Sequence, residues 1–237
     1  MKHIHFKEIN STNTYLKENY SNYENLTIVS AEHQTNGKGR FNRKWIDNDD
    51  LLFSILIKEN LVKITDYSLL IAKSIFNVLS KYMDNLSIKW PNDIMVNDNK
   101  ICGILLEAVS TTKIECVVLG VGINVNTTIF SEDLLLKATS MKNILNRNIN
   151  KEELLAEIMI CFEKDYNEYI NGNKDFISVI NNNFYLKDKE VSFNYNNVIY
   201  SGKALGINEY GEILNKVEDE IMNIYAGEVT FTNTYKK

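Results

Sequence analysis

Proline is nearly absent: Pro91 is the one proline among 237 residues. The chain has no low-complexity tract and no internal repeat, which excludes proline-rich linkers and collagen-like or solenoid architectures. Cysteine is scarce too. Cys102, Cys116 and Cys161 show no CxxC spacing, the pattern of free thiols in a reducing compartment and not of a disulfide framework or zinc site. No stretch approaches the roughly 18 uninterrupted apolar residues of a membrane span, and Met1 to Phe6 lacks the apolar run of a secretion signal. A cytoplasmic protein with no membrane partner is expected. Basic residues are not in surplus, with 26 Lys and Arg against 31 Asp and Glu and a net charge of -5. That excludes a general nucleic-acid binder, which is usually basic, while leaving room for a local cationic pocket. The length allows one large domain, or a large one and a small one.

What the chain does have is one unusual loop, Gln34-Thr35-Asn36-Gly37-Lys38-Gly39-Arg40-Phe41-Asn42-Arg43-Lys44-Trp45. Leu26 to Ala31 before it and Leu51 to Ile57 after it read as strands, so it is a long inter-strand loop, a type that is usually functional or disordered. Two glycines permit close backbone approach, and Arg40, Arg43 and Lys44 suit an anion with several oxygens. Trp45 offers a face for a flat ring. The loop lacks the third glycine of a dinucleotide fingerprint and the Ser or Thr of a Walker A loop.

Along the chain, Ile4 to Glu8 reads as a short strand, and Thr12 to Asn19 as a helix capped by Asn10 or Ser11. Asp66 to Tyr82 shows helical periodicity. Leu86 and Ile88 start a strand that Pro91 breaks, presenting Asn92 and Asp93; Asp93 is a turn residue or a ligand for a hard cation. Lys100 opens the strand Ile101 to Glu107, either snorkelling at the surface or placing one charge in a pocket. Gly103 marks a close approach. Gly120 and Gly122, two apart on the strand Val117 to Val125, leave a side-chain-free floor, and Asn124 stands at its end. Leu134 to Arg147, Lys151 to Tyr169 and Phe176 to Phe184 read as helices. From Leu186 the pattern changes to short strands, Glu190 to Tyr195, Val198 to Leu205, Glu212 to Val217 and Glu220 to Tyr225, punctuated by Asn196-Asn197 and Glu209-Tyr210-Gly211. These fit a small barrel. The expectation is an α+β fold: a mixed sheet flanked by helices over residues 1–185, then a small β unit over 186–237.

Taken together, Ser11-Thr12-Asn13, Gln34 through Trp45, Lys89-Trp90-Pro91-Asn92-Asp93, Lys100-Ile101-Cys102-Gly103-Ile104-Leu105-Leu106-Glu107 and Gly120-Val121-Gly122-Ile123-Asn124 resemble the biotin protein ligase family, in order and spacing. Ala226-Gly227-Glu228-Val229 resembles that family's SH3-like C-terminal domain. The resemblance covers nearly the whole chain. It implies that biotin and MgATP give biotinyl-5′-AMP and pyrophosphate, after which biotin passes to one lysine of a biotin carboxyl carrier domain. It also implies roles. Ser11, Thr12 and Gln34 meet the ureido ring; Asn13, Gly37, Lys38, Gly39 and Arg40 line the biotin site, with Gly103, Gly120 and Gly122 as close walls. Arg40, Arg43, Trp45, Asn92 and Asn124 serve the nucleotide, Asp93 serves Mg²⁺, and Lys100 sits between carboxylate and α-phosphate. Lys100 and Arg40 are the catalytic candidates.

Many members carry Arg where this chain has Lys38, which loses a bidentate contact and keeps a backbone role. No DNA-reading segment precedes the first strand, so neither repression nor a nucleic-acid partner is expected; a homodimer is compatible. The alternatives are a lipoate or octanoyl ligase or transferase of the same fold class, and a non-catalytic biotin-binding module. The latter has no use for both Arg40 and Lys100.

Overall fold

The computed structural model describes residues 1–225 apart from 47, 133, 136, 196 and 197, with backbone alone for Asn42, 231 and 232. The strands β1 (His3–Ile9), β2 (Ile28–Gln34), β3 (Leu51–Ile57), β4 (Leu86–Lys89), β5 (Asp93–Val96), β6 (Asn99–Ser110) and β7 (Ile114–Ile123) form one seven-stranded sheet, in the order β1-β2-β3-β7-β6-β5-β4. Only β1 and β2 pair in parallel. The sheet is therefore mixed, as expected.

β3 explains how the two faces are used. All seven of its residues are buried, the signature of a central strand covered on both sides. Side chains alternate between faces. Phe53, Ile55 and Ile57 join Val117, Leu119 and Val121 in the main core with helices α2 (Asp66–Leu79) and α4 (Lys151–Ile170). Leu56, on the opposite face, packs with Val118, Val29 and Leu16 of helix α1 (Thr12–Asn19) in a second, smaller core. Eleven of the 14 residues of α2 are buried, because α4 and α5 (Phe176–Asn182) flank it. Its Lys73 is held by Asp165 at 3.0 Å and Asp175 at 2.8 Å, so the charge enters the interior already paired.

The helix expected over Leu134 to Arg147 is cut to α3 (Met141–Leu145). The residues before it are drawn onto the start of β6: Lys100 N–H donates to the Lys137 carbonyl at 2.8 Å, and Thr139 N–H to the Lys100 carbonyl at 3.0 Å. Ser140 then caps the short helix through the Asn143 N–H. Tertiary strand pairing overrides the local pattern.

The strands β8 (Glu190–Tyr195), β9 (Val198–Ile207), β10 (Ile213–Val217), β11 (Glu220–Ile224) and β12 (Phe231–Thr232) form a separate antiparallel sheet, ordered β11-β10-β9-β8-β12. The expected turn at Asn196-Asn197 and the segment Ala226 to Val229 lie outside the described residues. Trp90 Nε1 donates to the Gly211 carbonyl at 3.0 Å, and Asn181 on α5 exchanges hydrogen bonds with the Ile207 backbone. No helix of the described residues is long and apolar enough to cross a membrane.

Candidate active site

The face of the sheet that α1 covers changes character rung by rung. Leu56 opposite Val118 is apolar and capped by α1. Ser54 opposite Gly120 is the next rung on that face, then Leu52 opposite Gly122. Gly103 on β6 is in turn the partner of Gly122. Side chains thus vanish from the floor just where the helix ends. A cavity of about 50 Å³ lies there, bordered by α1, the end of β2, the glycine-rich loop and strands β6 and β7.

One end of it is neutral and closely hydrogen-bonded. Gln34 Oε1 accepts from the Thr12 N–H at 2.8 Å and from its hydroxyl at 3.0 Å. Ser54 Oγ lies 2.7 Å from Thr12 Oγ1 and 2.6 Å from Asn13 Oδ1. The Asn13 Nδ2 donates to Glu107 at 2.8 Å. Asn13 rests directly on Gly120: a Cβ there would lie 2.2 Å from Asn13 Oδ1. Ser11, Thr12 and Asn13 arrive together because Ser11 caps α1, its Oγ facing the Thr14 N–H.

The other end is charged. Lys100 Nζ lies 2.7 Å from Asp93 Oδ1 and 5.6 Å from the centre of the Trp45 ring. Arg40 Nη1 donates to Asn92 Oδ1 at 3.1 Å. Asn92 is fixed in turn, its Nδ2 donating to the Ile104 carbonyl and its own carbonyl accepting the Ile104 N–H. The Trp90-Pro91 bond that precedes it is cis. Burial lowers the Arg40 pKa against the pull of Asp93, yet a guanidinium stays charged. Lys89, buried one strand further out, is pushed down to about 8 by burial, against the pull of Asp93 and aided by Lys100, Lys189 and Arg43.

The glycine-rich loop folds back as a small hairpin. Gly37 and Trp45 are joined by a backbone hydrogen bond of 3.0 Å, Gly39 and Arg43 by one of 2.7 Å. Phe41 at its tip has φ 57. The hairpin lays the Trp45 ring over the floor, where a Cβ on Gly122 would meet it at 2.6 Å and one on Gly103 at 2.8 Å. The glycine floor has Trp45 and Asn13 resting on it.

Comparison with known proteins agrees with this geometry. Residues 5–124 match the model of the biotin/lipoate A/B protein ligase family. The chain belongs to that family. It is 30% identical over 212 residues to the bifunctional ligase/repressor BirA of Bacillus subtilis, covering 86% of this chain and 65% of that one; it therefore spans just under two thirds of that relative's length. It is similar to the biotin protein ligase of Aquifex aeolicus solved in complex with biotin and ATP, with a TM-score of 0.88, 28% identity and 98% of each chain covered. It is 29% identical over 144 residues to the biotin–[acetyl-CoA-carboxylase] ligase of Mycobacterium tuberculosis, covering 55% of this chain and 52% of that one. The mixed sheet with a separate C-terminal β unit is the biotin ligase fold.

Of the residues singled out in the sequence, Ser11, Thr12, Asn13, Gln34, Lys38, Gly39, Arg40, Trp45, Asn92, Lys100, Gly103, Gly120 and Gly122 border the cavity. Gly37, Arg43, Asp93 and Asn124 stand outside its lining. Asp93 reaches the site through Lys100. Asn124 spends its amide on the carbonyls of Thr139 at 3.0 Å and Lys100 at 3.4 Å, so here it fixes the Lys100 backbone. Ser54, Glu107 and Lys89 escaped the sequence reading as site residues. Ser54 left one signal: it is the single polar residue of the otherwise apolar strand Leu51 to Ile57.

Proposed function

We propose that the chain is a biotin protein ligase, which joins biotin to ATP as biotinyl-5′-AMP with release of pyrophosphate and then acylates one lysine of a biotin carboxyl carrier domain. The observation that carries this is the division of one glycine-floored pocket into a neutral hydrogen-bonding end and a cationic end. A ring bearing N–H and C=O groups suits the first, and a carboxylate meeting a triphosphate suits the second.

In this reading Ser11, Thr12 and Gln34 hold the ureido ring, with Asn13 beside them, and the backbone from Lys38 to Arg40 lines the valeryl chain beside Gly103, Gly120 and Gly122. Two anions must then come together. Lys100 and Arg40 offset their repulsion, acting where charge accumulates in the transition state. A carboxylate oxygen of biotin attacks the α-phosphorus, the P–O bond to the β-phosphate breaks, and pyrophosphate leaves. In the second half-reaction a neutral lysine amine attacks the acyl carbon, the C–O bond to AMP breaks, and the amine proton passes to solvent. No nucleophile from the chain is required. Arg43 and Asn92 serve the phosphates, with Trp45 and Asn124 on the nucleoside side.

The fit of Asp93 to a magnesium ion is limited. It is a single carboxylate already paired with Lys100, and among the described residues no group of three His, Cys, Asp or Glu gathers. It would hold a magnesium that arrives with the triphosphate, and the ion would supply neutralisation of phosphate charge. We read residues 1–185 as the catalytic unit and 186–237 as the small β unit, in a cytoplasmic enzyme.

A lipoate or octanoyl substrate fits less well. A linear acyl chain leaves the polar end of the pocket unpaired, at a cost of about 1–3 kcal/mol per buried group. The deciding experiment measures pyrophosphate release with biotin, lipoate or octanoate, each with and without ATP, followed by label transfer to a carboxyl carrier domain. Release that requires both biotin and ATP is the expected result; release with lipoate alone would replace this reading.

A further inference from the structure

Glu107 on β6 and Lys17 on α1 lie outside the cavity lining, yet they close its polar network from behind. Lys17 Nζ is 2.5 Å from Glu107 Oε1, and Glu107 Oε2 takes the Asn13 amide hydrogen at 2.8 Å. An ionised carboxylate only accepts. It therefore dictates which way Asn13 faces: Nδ2 towards Glu107 and the Leu105 carbonyl, 3.3 Å away, and Oδ1 inward towards Ser54.

The consequence travels by proton counting. Ser54 has one hydroxyl proton and is fully buried. Donated to Asn13 Oδ1, it leaves a Ser54 lone pair facing the Thr12 hydroxyl at 2.7 Å. The one Thr12 hydroxyl proton then points inward, to Ser54 Oγ or to Gln34 Oε1, and in either case Thr12 Oγ1 offers a ligand lone pairs only. Gln34 Oε1 is engaged by the Thr12 N–H, which makes its Nε2 the donor end. The pocket then reads acceptor at Thr12 and donor at Gln34, the complement of adjacent N–H and C=O groups on a cyclic urea.

We propose that Glu107, held by Lys17, is a positioning residue that sets this donor–acceptor pattern through Asn13 and Ser54. It touches no substrate. The inference rests on the biotin reading above and deepens it, assigning the orientation of the ring contacts to an ion pair between α1 and β6. Glu107→Gln keeps the size and replaces the acceptor-only carboxylate with an amide that also donates, leaving the longer Leu105 contact alone to orient Asn13. Both partners are about a quarter exposed, and the variant is expected to fold.

The test is ATP–pyrophosphate exchange on the full chain, with biotin affinity followed separately by calorimetric titration. Glu107→Gln should raise KM and Kd for biotin about tenfold, the scale of one hydrogen bond to a charged group, while kcat and the KM for ATP stay within about twofold. Lys17→Met should give the same split, smaller, at about threefold. A merely structural role would instead lower kcat and thermal stability with no preference for biotin over ATP, and that result, or an unchanged biotin KM, overturns the proposal. Wild-type protein without biotin-dependent exchange would remove the underlying reading and this inference with it.

Discussion

The two ends of the pocket are built by opposite strategies. The neutral end stands on regular elements, α1, β2 and β3, and its side chains are tied to one another: Thr12 to Gln34, Ser54 to Asn13, Asn13 to Glu107. The charged end stands on a loop and on strand ends, and its groups interact through charge: Lys100 pairs with Asp93, whose charge also favours the charged forms of Arg40 and Lys89 against burial. A satisfied network is stiff and discriminates by geometry. A surplus of cations around one carboxylate is poised for an anion and supplies chemistry. In the proposed reading, specificity and catalysis fall to different ends of the pocket and should fail separately.

The sharpest break is at the charged end. Lys100→Ala should lower the rate of adenylate formation on the order of 10² to 10³-fold, as loss of one preorganised electrostatic group does, with biotin affinity nearly kept. Rapid-quench measurement of biotinyl-AMP reads this directly. Near-normal turnover would make Lys100 only the counter-ion of Asp93.

The matching break at the neutral end is Gly120→Ala. The added Cβ would stand 2.2 Å from Asn13 Oδ1, against a side chain anchored at both ends, so overpacking costs about 1–3 kcal/mol. Biotin binding should weaken roughly 10- to 100-fold, at about 1.4 kcal/mol per decade, while the ATP KM holds. Equal losses for both substrates would show that the two ends are not independent.

These ends were also unequally legible in the sequence. The charged end was readable because loops and lone residues carry it: a GKGR run, one proline before Asn92 and Asp93, a lysine opening an apolar strand. The glycine floor was readable because glycine has little other reason to recur in a strand. Ser54 and Glu107 were not, because their roles come from helix neighbours far away in the chain, Ser54 beside Asn13 and Glu107 beside Lys17; Lys89 was not, because its role comes from burial. Local pattern failed in the same way at Leu134 to Arg147, where pairing with Lys100 replaced most of a helix. It also could not tell that Trp45 would cover the floor.

That cover gives a smaller effect to look for. Trp45 lies directly against Gly122 and Gly103, so a ring that takes up the floor moves the indole. Its indole N–H is buried with no hydrogen-bond partner among the described residues, which makes the resting position costly to hold. Biotin plus ATP should shift Trp45 fluorescence, read in a Trp90→Phe background, and slow proteolysis between Asn36 and Lys44 about tenfold as charge-assisted contacts order the loop. Unchanged emission and cleavage would mean that the ligand enters elsewhere.

The smallest expected effect concerns Lys89, and it tests whether the charged end is held at a cost to stability. Its pKa is lowered from 10.5 to about 8, chiefly by burial. Between those two values the unfolded chain binds a proton that the folded chain has released, so stability from this group rises with pH across that window and is at its lowest below it. Each pKa unit is worth about 1.4 kcal/mol, which bounds the rise at about 3 kcal/mol. Lys89→Met, of similar length and uncharged, should therefore be more stable than wild type at pH 7, by a few degrees in melting temperature, with the advantage shrinking as pH passes 8 and vanishing near 10.5. The measurement is a pair of melting curves across that range. A constant difference would show that Asp93 already balances the buried charge, in which case the cations around it are a paired cluster and the cost of assembling the charged end lies in the loop alone.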